Sequence, residues 1–106
     1  MNDAPDWDQL APHIEGFVTS LWLEDGLSDN TRHAYRQDLQ AFALWLDAQG
    51  LSLLQAQGHH FQAYFAHRHA LTKATSANRR LSVFRRFYRW ALRERLIPED
   101  PTLTLL

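Results

Sequence analysis

The stretch "KATSANRRLSVFRRFYRWALRER", Lys73 to Arg95, decides how this chain is read. It holds seven arginines, one lysine and a single acid, Glu94, in a 106-residue protein whose formal net charge is only −1. On a wheel of about 100° per residue with Ala77 at the origin, Ala77, Leu81, Phe84, Tyr88, Ala91 and Leu92 fall within about 60° of it and form the expected core face. Val83, Phe87 and Trp90 widen the apolar arc on one side. The opposite arc carries Asn78, Arg79, Ser82, Arg86, Arg89 and Arg93. Arg79, Arg86 and Arg93 are spaced by sevens, so each stands almost above the last. The stretch predicts one amphipathic helix that begins after Thr75 or Ser76 and ends near Arg95, about 30 Å long.

An ordinary solvated helix face mixes signs and uses pairs four residues apart. Here the only acid is Glu94, and the position four residues beyond it is Pro98. Two readings remain for the arginines. They can pair with the acidic first part of the chain, with Glu15, Glu24 and Asp25 as candidates, or they can meet a polyanion. Residues 1–66 carry a balance of −7 and residues 67–106 one of +6, an asymmetry that points to a polyanionic partner. Guanidinium groups bind phosphate bidentately and read guanine edges, and a helix fits the DNA major groove. Lys73, Thr75 and Ser76 precede or open the helix, where backbone N–H groups favour anions. A second basic surface lies at "SDNTRHAYRQD", where Arg32, His33, Arg36 and Gln40 point away from an apolar stripe.

That stripe is Tyr35, Leu39, Phe42 and Leu46, at helical steps. Ser28 is its N-cap, Asp29 complements the helix dipole, and Gly50 provides a left-handed stop. An earlier helix is expected within about Asp8 to Asp25, with Ile14, Phe17, Val18 and Leu21 inward, Pro12 in its first turn and Gly26 ending it. A third runs from about His59 to Ala70, with Phe61, Tyr64 and Phe65 inward. After the arginine helix, "IPEDP" stops helical structure and predicts an extended segment. No two-residue alternation is sustained. The expectation is an all-α, four-helix bundle-like domain, with residues 1–96 as the domain and 97–106 as the start of a linker.

Other chemistry finds little support. Without cysteine there is no disulfide framework or thiolate metal site. His59, His60, His67 and His69 cluster, but His60 and His67 are seven apart, about 10 Å along a helix, so no metal and no cofactor is expected. No glycine-rich phosphate loop occurs. Tyr35, Tyr64 and Tyr88 sit on apolar faces and read as core, as do Trp22, Trp45 and Trp90. Trp90 also borders the arginine arc, within stacking reach of Arg86 or Arg93. The longest apolar run, Ala41 to Leu46, is far short of a membrane span, and the acidic N-terminus is unlike a targeting signal. A cytoplasmic protein with no membrane partner is expected.

Two segments, "LSDNTRHAYRQDLQAFALWL" (Leu27–Leu46) and "KATSANRRLSVFRRFYRWALRERLIPEDP" (Lys73–Pro101), resemble the N-terminal core-binding domain of the tyrosine recombinases, the phage-integrase family. The resemblance covers nearly the whole chain. It implies a SAM-like helical domain forming half of a clamp on double-stranded DNA at a recombination half-site. The matching positions are Thr31, Arg32 and Arg36, then Lys73, Thr75, Ser76, Asn78, Arg79, Ser82, Arg86 and Arg89. It further implies a nucleoid-associated parent enzyme working with homologous subunits and a partner recombinase, in chromosome dimer resolution or DNA integration. The family's catalytic arginine, His-x-x-Arg motif and nucleophilic tyrosine belong to a second domain, so this chain is expected to bind DNA and cleave nothing. The rival reading is a helical adaptor that docks an acidic protein through its basic helix. One departure stands out. The family usually opens its third helix with a capping hydroxyl and acids, whereas Gly58, His59 and His60 stand here, which predicts destabilisation below about pH 6.

Overall fold

The computed structural model describes residues 4–69 and 74–105. Among them are five α-helices, one short 3-10 turn at Leu53–Gln55, and no strand. The helices are α1 (Trp7–Leu10), α2 (His13–Asp25), α3 (Asp29–Asp47), α4 (Gly58–His69) and α5 (Ala74–Arg93). The all-α expectation holds, but the first expected helix is two. Pro12 pushes the residue before it out of the helical region, and Ala11 sits at φ −146°, ψ 68°. α1 therefore closes at Leu10, and α2 starts afresh behind Pro12.

The chain divides into two compact units, residues 1–53 and 54–106. In the first, α2 and α1 both pack on α3. α2 buries Ile14, Phe17, Val18 and Leu21, the expected four, and α3 buries Leu39, Phe42, Ala43 and Leu46, with Tyr35 half-buried. The α2–α3 turn depends on Gly26 at φ 63°, which lets Gly26 N–H reach Trp22 O and Leu27 N–H reach Leu21 O. Ser28 then caps α3 by accepting from Thr31 N–H at 3.3 Å. α3 unwinds through a turn in which Leu51 N–H returns to Leu46 O, with Gly50 at φ 76°.

In the second unit α4 packs on α5 through aromatic rings. Phe84 lies 5.8 Å from Phe61, 6.1 Å from Tyr64 and 5.8 Å from Phe65, and Phe61 meets Tyr88 edge-on at 5.2 Å. Val83, Phe84, Phe87, Tyr88 and Ala91 are buried, while Ala77 and Leu81 are half-buried. Leu92, placed in the expected core, is 39% exposed, because it sits at the edge of the arc. α5 ends two residues before the expected Arg95. Arg95 itself takes φ 60°, and Leu96 N–H bonds back to Ala91 O. The segment beyond turns rather than running extended: Ile97, Asp100 and Thr102 are buried. Asp100 accepts from Thr102 N–H at 2.8 Å and from its hydroxyl at 2.6 Å. Arg85 donates to Leu105 O at 2.7 Å, holding the far end of this segment against α5.

α4 opens on a cap that composition rules do not anticipate. His60 Nδ1 accepts from Gln57 N–H at 2.9 Å, while His60 N–H bonds to Gln57 O at 2.9 Å. His60 stands three residues past the cap, the place where a glutamate or glutamine usually reaches back. Only neutral imidazole can accept there. Burial, and secondarily the neighbouring His59 ring, lower the His60 pKa.

Candidate nucleic-acid interface

The basic arc of α5 follows from its own amphipathicity. Once Val83, Phe84, Phe87 and Tyr88 are buried, the helix must present the other side outward. Asn78, Arg79, Ser82, Arg89 and Arg93 are exposed there and Arg86 is half-buried. From Ala74 to Arg93 the helix holds no acid. Arg79 to Arg93 spans 14 steps, or about 21 Å. Ser76 is half-buried in the first turn. Thr75 belongs to α5, but its side chain and the whole of Lys73 lie outside the described residues.

Not every arginine of the opening stretch joins this arc. Arg80, 2% exposed, falls on the apolar side near Val83 and Phe87. Arg85 is committed to Leu105 O, and Arg95 to the helix stop. Trp90 is half-buried and tilted on Phe87 at 5.9 Å. Tyr64 and Tyr88 are buried as expected. Burial first, and then Asp100, push the Tyr88 phenol well above its ordinary value.

The second basic surface, on the first turns of α3, is built differently. Thr31 is half-buried, with its hydroxyl 3.1 Å from the cap hydroxyl of Ser28. Arg32 donates from Nε to Leu27 O at 3.1 Å and pairs through Nη2 with Asp29. Its guanidinium carbon also stands 5.7 Å above the Trp22 ring. Trp22, expected in the core, is 56% exposed and forms this platform instead. It follows Leu21 by about 100° around α2, which carries it off the buried stripe. Arg36, one turn past Arg32, is held by both oxygens of Glu15: Nε to Oε2 at 2.7 Å and Nη2 to Oε1 at 3.0 Å. The Glu15 hydrogen bonds raise the Arg36 pKa against the opposing effect of burial. Glu15, weighed from the sequence as a partner for the α5 arginines, thus serves α3. His33 is exposed and Gln40 half-buried. Among the described residues no three His, Asp or Glu side chains come together as a metal site would need, and no helix is long and apolar enough to cross a membrane.

Comparison with known proteins follows the same two segments. The profile of the family described as "Phage integrase, N-terminal SAM-like domain" matches residues 14–95. The protein named tyrosine recombinase XerD of Ralstonia nicotianae is 50% identical over 92 residues, covering 87% of this chain and 30% of that protein. XerD of Pseudomonas aeruginosa is 50% identical over 93 residues, covering 87% of this chain and 31% of its own length. XerD of Yersinia pestis is 42% identical over 95 residues, covering 89% and 32%. The chain therefore spans somewhat under a third of these relatives. With 82 consecutive residues matched, it belongs to the phage-integrase N-terminal SAM-like domain family.

Proposed function

We propose that this chain is the DNA-gripping module of a site-specific tyrosine recombinase, with residues 1–96 as the module and 97–106 leading toward the rest of the enzyme. The observation that carries the reading is the acid-free outward arc of α5, a ridge of about 21 Å that matches the reach of a helix in a major groove. Arg79, Arg86, Arg89 and Lys73 neutralise phosphates. Asn78, Ser76 and Arg32 face base edges, Arg79 being placed to do either, and Thr31, Thr75 and Ser82 add hydroxyl donors. Arg36 belongs to the same surface as Arg32. The names of the relatives support recombination as the process; double-stranded DNA, homologous subunits and a partner recombinase at the nucleoid are what this reading adds as partners and place. Strand cleavage and rejoining fall to the two-thirds of such an enzyme that this chain does not span.

The test is an amide NMR titration of the labelled chain with a duplex carrying a recombination half-site and with a scrambled duplex. Shifts concentrated in residues 31–36 and 73–89, larger for the half-site, support the reading. Small shifts that are alike for both duplexes and vanish at moderate salt refute it. Concentration-dependent self-association without a DNA response would favour an adaptor that docks acidic proteins.

A further inference from the structure

We infer that Glu15 is a positioning residue that turns Arg36 from a phosphate clamp into a reader of guanine. The inference rests on the DNA-binding reading above and specifies what one side chain does within it. Two parallel hydrogen bonds, Nε to Oε2 at 2.7 Å and Nη2 to Oε1 at 3.0 Å, fix the plane of the guanidinium. A guanidinium carries five N–H donors in a rigid planar fork. The carboxylate occupies its side edge, that is, the Nε hydrogen and one Nη2 hydrogen. The end edge, with the Nη1 hydrogens and the second Nη2 hydrogen, makes no hydrogen bond among the described residues. One hydrogen from each Nη points the same way along that edge. The paired acceptors O6 and N7 of guanine ask for that arrangement in the major groove.

Charge decides between base and phosphate. Carboxylate and guanidinium cancel, so the pair offers a phosphate no net attraction. The Glu15 side chain is 58% exposed against 31% for Arg36, which leaves its negative charge in position to repel a phosphate that approaches the pair. A guanine edge is a neutral dipole and rewards aligned donors rather than net charge. Arg36 also lies one turn beyond Arg32, whose guanidinium is fixed by Asp29 and Leu27 O, so both α3 arginines are oriented before any ligand arrives.

The experiment selects duplexes from a pool with a randomised stretch, using the 106-residue chain, and then measures binding to the selected duplex and to copies carrying 7-deazaguanine, which lacks the N7 acceptor. The wild type should enrich a guanine whose 7-deaza replacement weakens binding about threefold, as loss of half a bidentate contact does. Arg36→Ala, and Arg36→Lys with its charge kept and its fork lost, should bind the selected duplex about tenfold more weakly and ignore the replacement. Glu15→Gln should lose guanine preference while binding random duplex more tightly, with a salt slope steeper by about 0.9. If the Arg36 variants keep the wild-type sensitivity to 7-deazaguanine, or Glu15→Gln keeps both preference and slope, the inference is overturned. A purely structural ion pair would lower melting temperatures and leave the preference intact. Binding of duplexes with no guanine preference overturns the inference alone. No binding to any duplex overturns the DNA reading with it.

Discussion

Replacing His60 by glutamine separates two ways in which the start of α4 can depend on pH. The sequence suggests only that two protonated histidines sit badly at a positive helix end. The structure adds a specific bond, Gln57 N–H to His60 Nδ1 at 2.9 Å, which the imidazolium cannot accept because that nitrogen then carries a proton. The His60 pKa is lowered in the folded state, by burial first and then by the His59 ring centred 4.0 Å away. As pH falls through the ordinary histidine value of about 6.5, the unfolded chain binds its proton before the folded chain does, so stability drops from there until the lowered folded value is passed. Stability is thus fully present above about pH 6.5 and reduced below it.

The size of the effect follows from the cap. A helix-capping hydrogen bond contributes about 1 kcal/mol, and partial exposure of the imidazole argues for no more than that here. For a domain of this size about 1 kcal/mol corresponds to roughly 4–8 °C in melting temperature. Glutamine at the same position can reach back to Gln57 N–H at any pH. Melts followed by far-UV circular dichroism should therefore agree for wild type and His60→Gln near pH 7.5, within about 2 °C, and diverge near pH 5 by about 5 °C in favour of the variant. Groups that do not touch His60 are the same in both proteins and cancel in the comparison. Equal losses on acidification would refute the capping argument and leave only the general charge effect, which His59→Asp should then relieve as well.

Two further substitutions test the packing of the second unit. Phe84→Ala removes the ring shared by Phe61, Tyr64 and Phe65, and at full burial should cost about 3–5 kcal/mol, seen as a large drop in the urea midpoint; a loss below about 1 kcal/mol would mean that the cluster is not the core. Arg95→Gly relieves the left-handed conformation at φ 60° and, after the added flexibility of glycine in the unfolded chain, should raise stability by about 0.5 kcal/mol, whereas Arg95→Ala should not.

How much of this was legible depended on distance along the chain. The Ser28 cap, the Gly26 stop, the α2 and α3 stripes and the outward arc of α5 are local patterns, set by residues within a turn or two of one another. Pro12 is visible in the sequence, but a proline also fits the first turn of a helix, so the pattern predicts one helix where Ala11 at φ −146° separates two. The His60 cap lies outside the usual capping signature, which has no histidine, although its place three residues past the cap is a usable signal. Arg80 and Arg85 could have been set apart on the helical wheel, since both fall outside the basic arc. The Glu15–Arg36 pair could not be found this way: its members are 21 residues apart and meet only because α2 packs on α3.

That pair also divides the positive charge of the chain into two kinds. Arg36 meets any ligand with a carboxylate already on its side edge, whereas Arg89, exposed on α5, makes no hydrogen bond or ion pair among the described residues. Counterion release counts net charge delivered to phosphates, at about 0.9 per contact in the slope of log affinity against log salt. Arg89→Ala should therefore flatten the slope by about 0.9, whereas replacing the pair together, Arg36→Ala with Glu15→Gln, removes no net charge and should leave the slope unchanged within about 0.3 while still weakening binding to the preferred sequence. If both substitutions flatten the slope equally, Glu15 must release Arg36 when DNA arrives, and α3 grips phosphate as α5 does. If only Arg89 moves it, grip and readout are assigned to different helices. A chain with a net charge of −1 then holds a polyanion by gathering arginines on one acid-free helix face and neutralising those whose task is alignment.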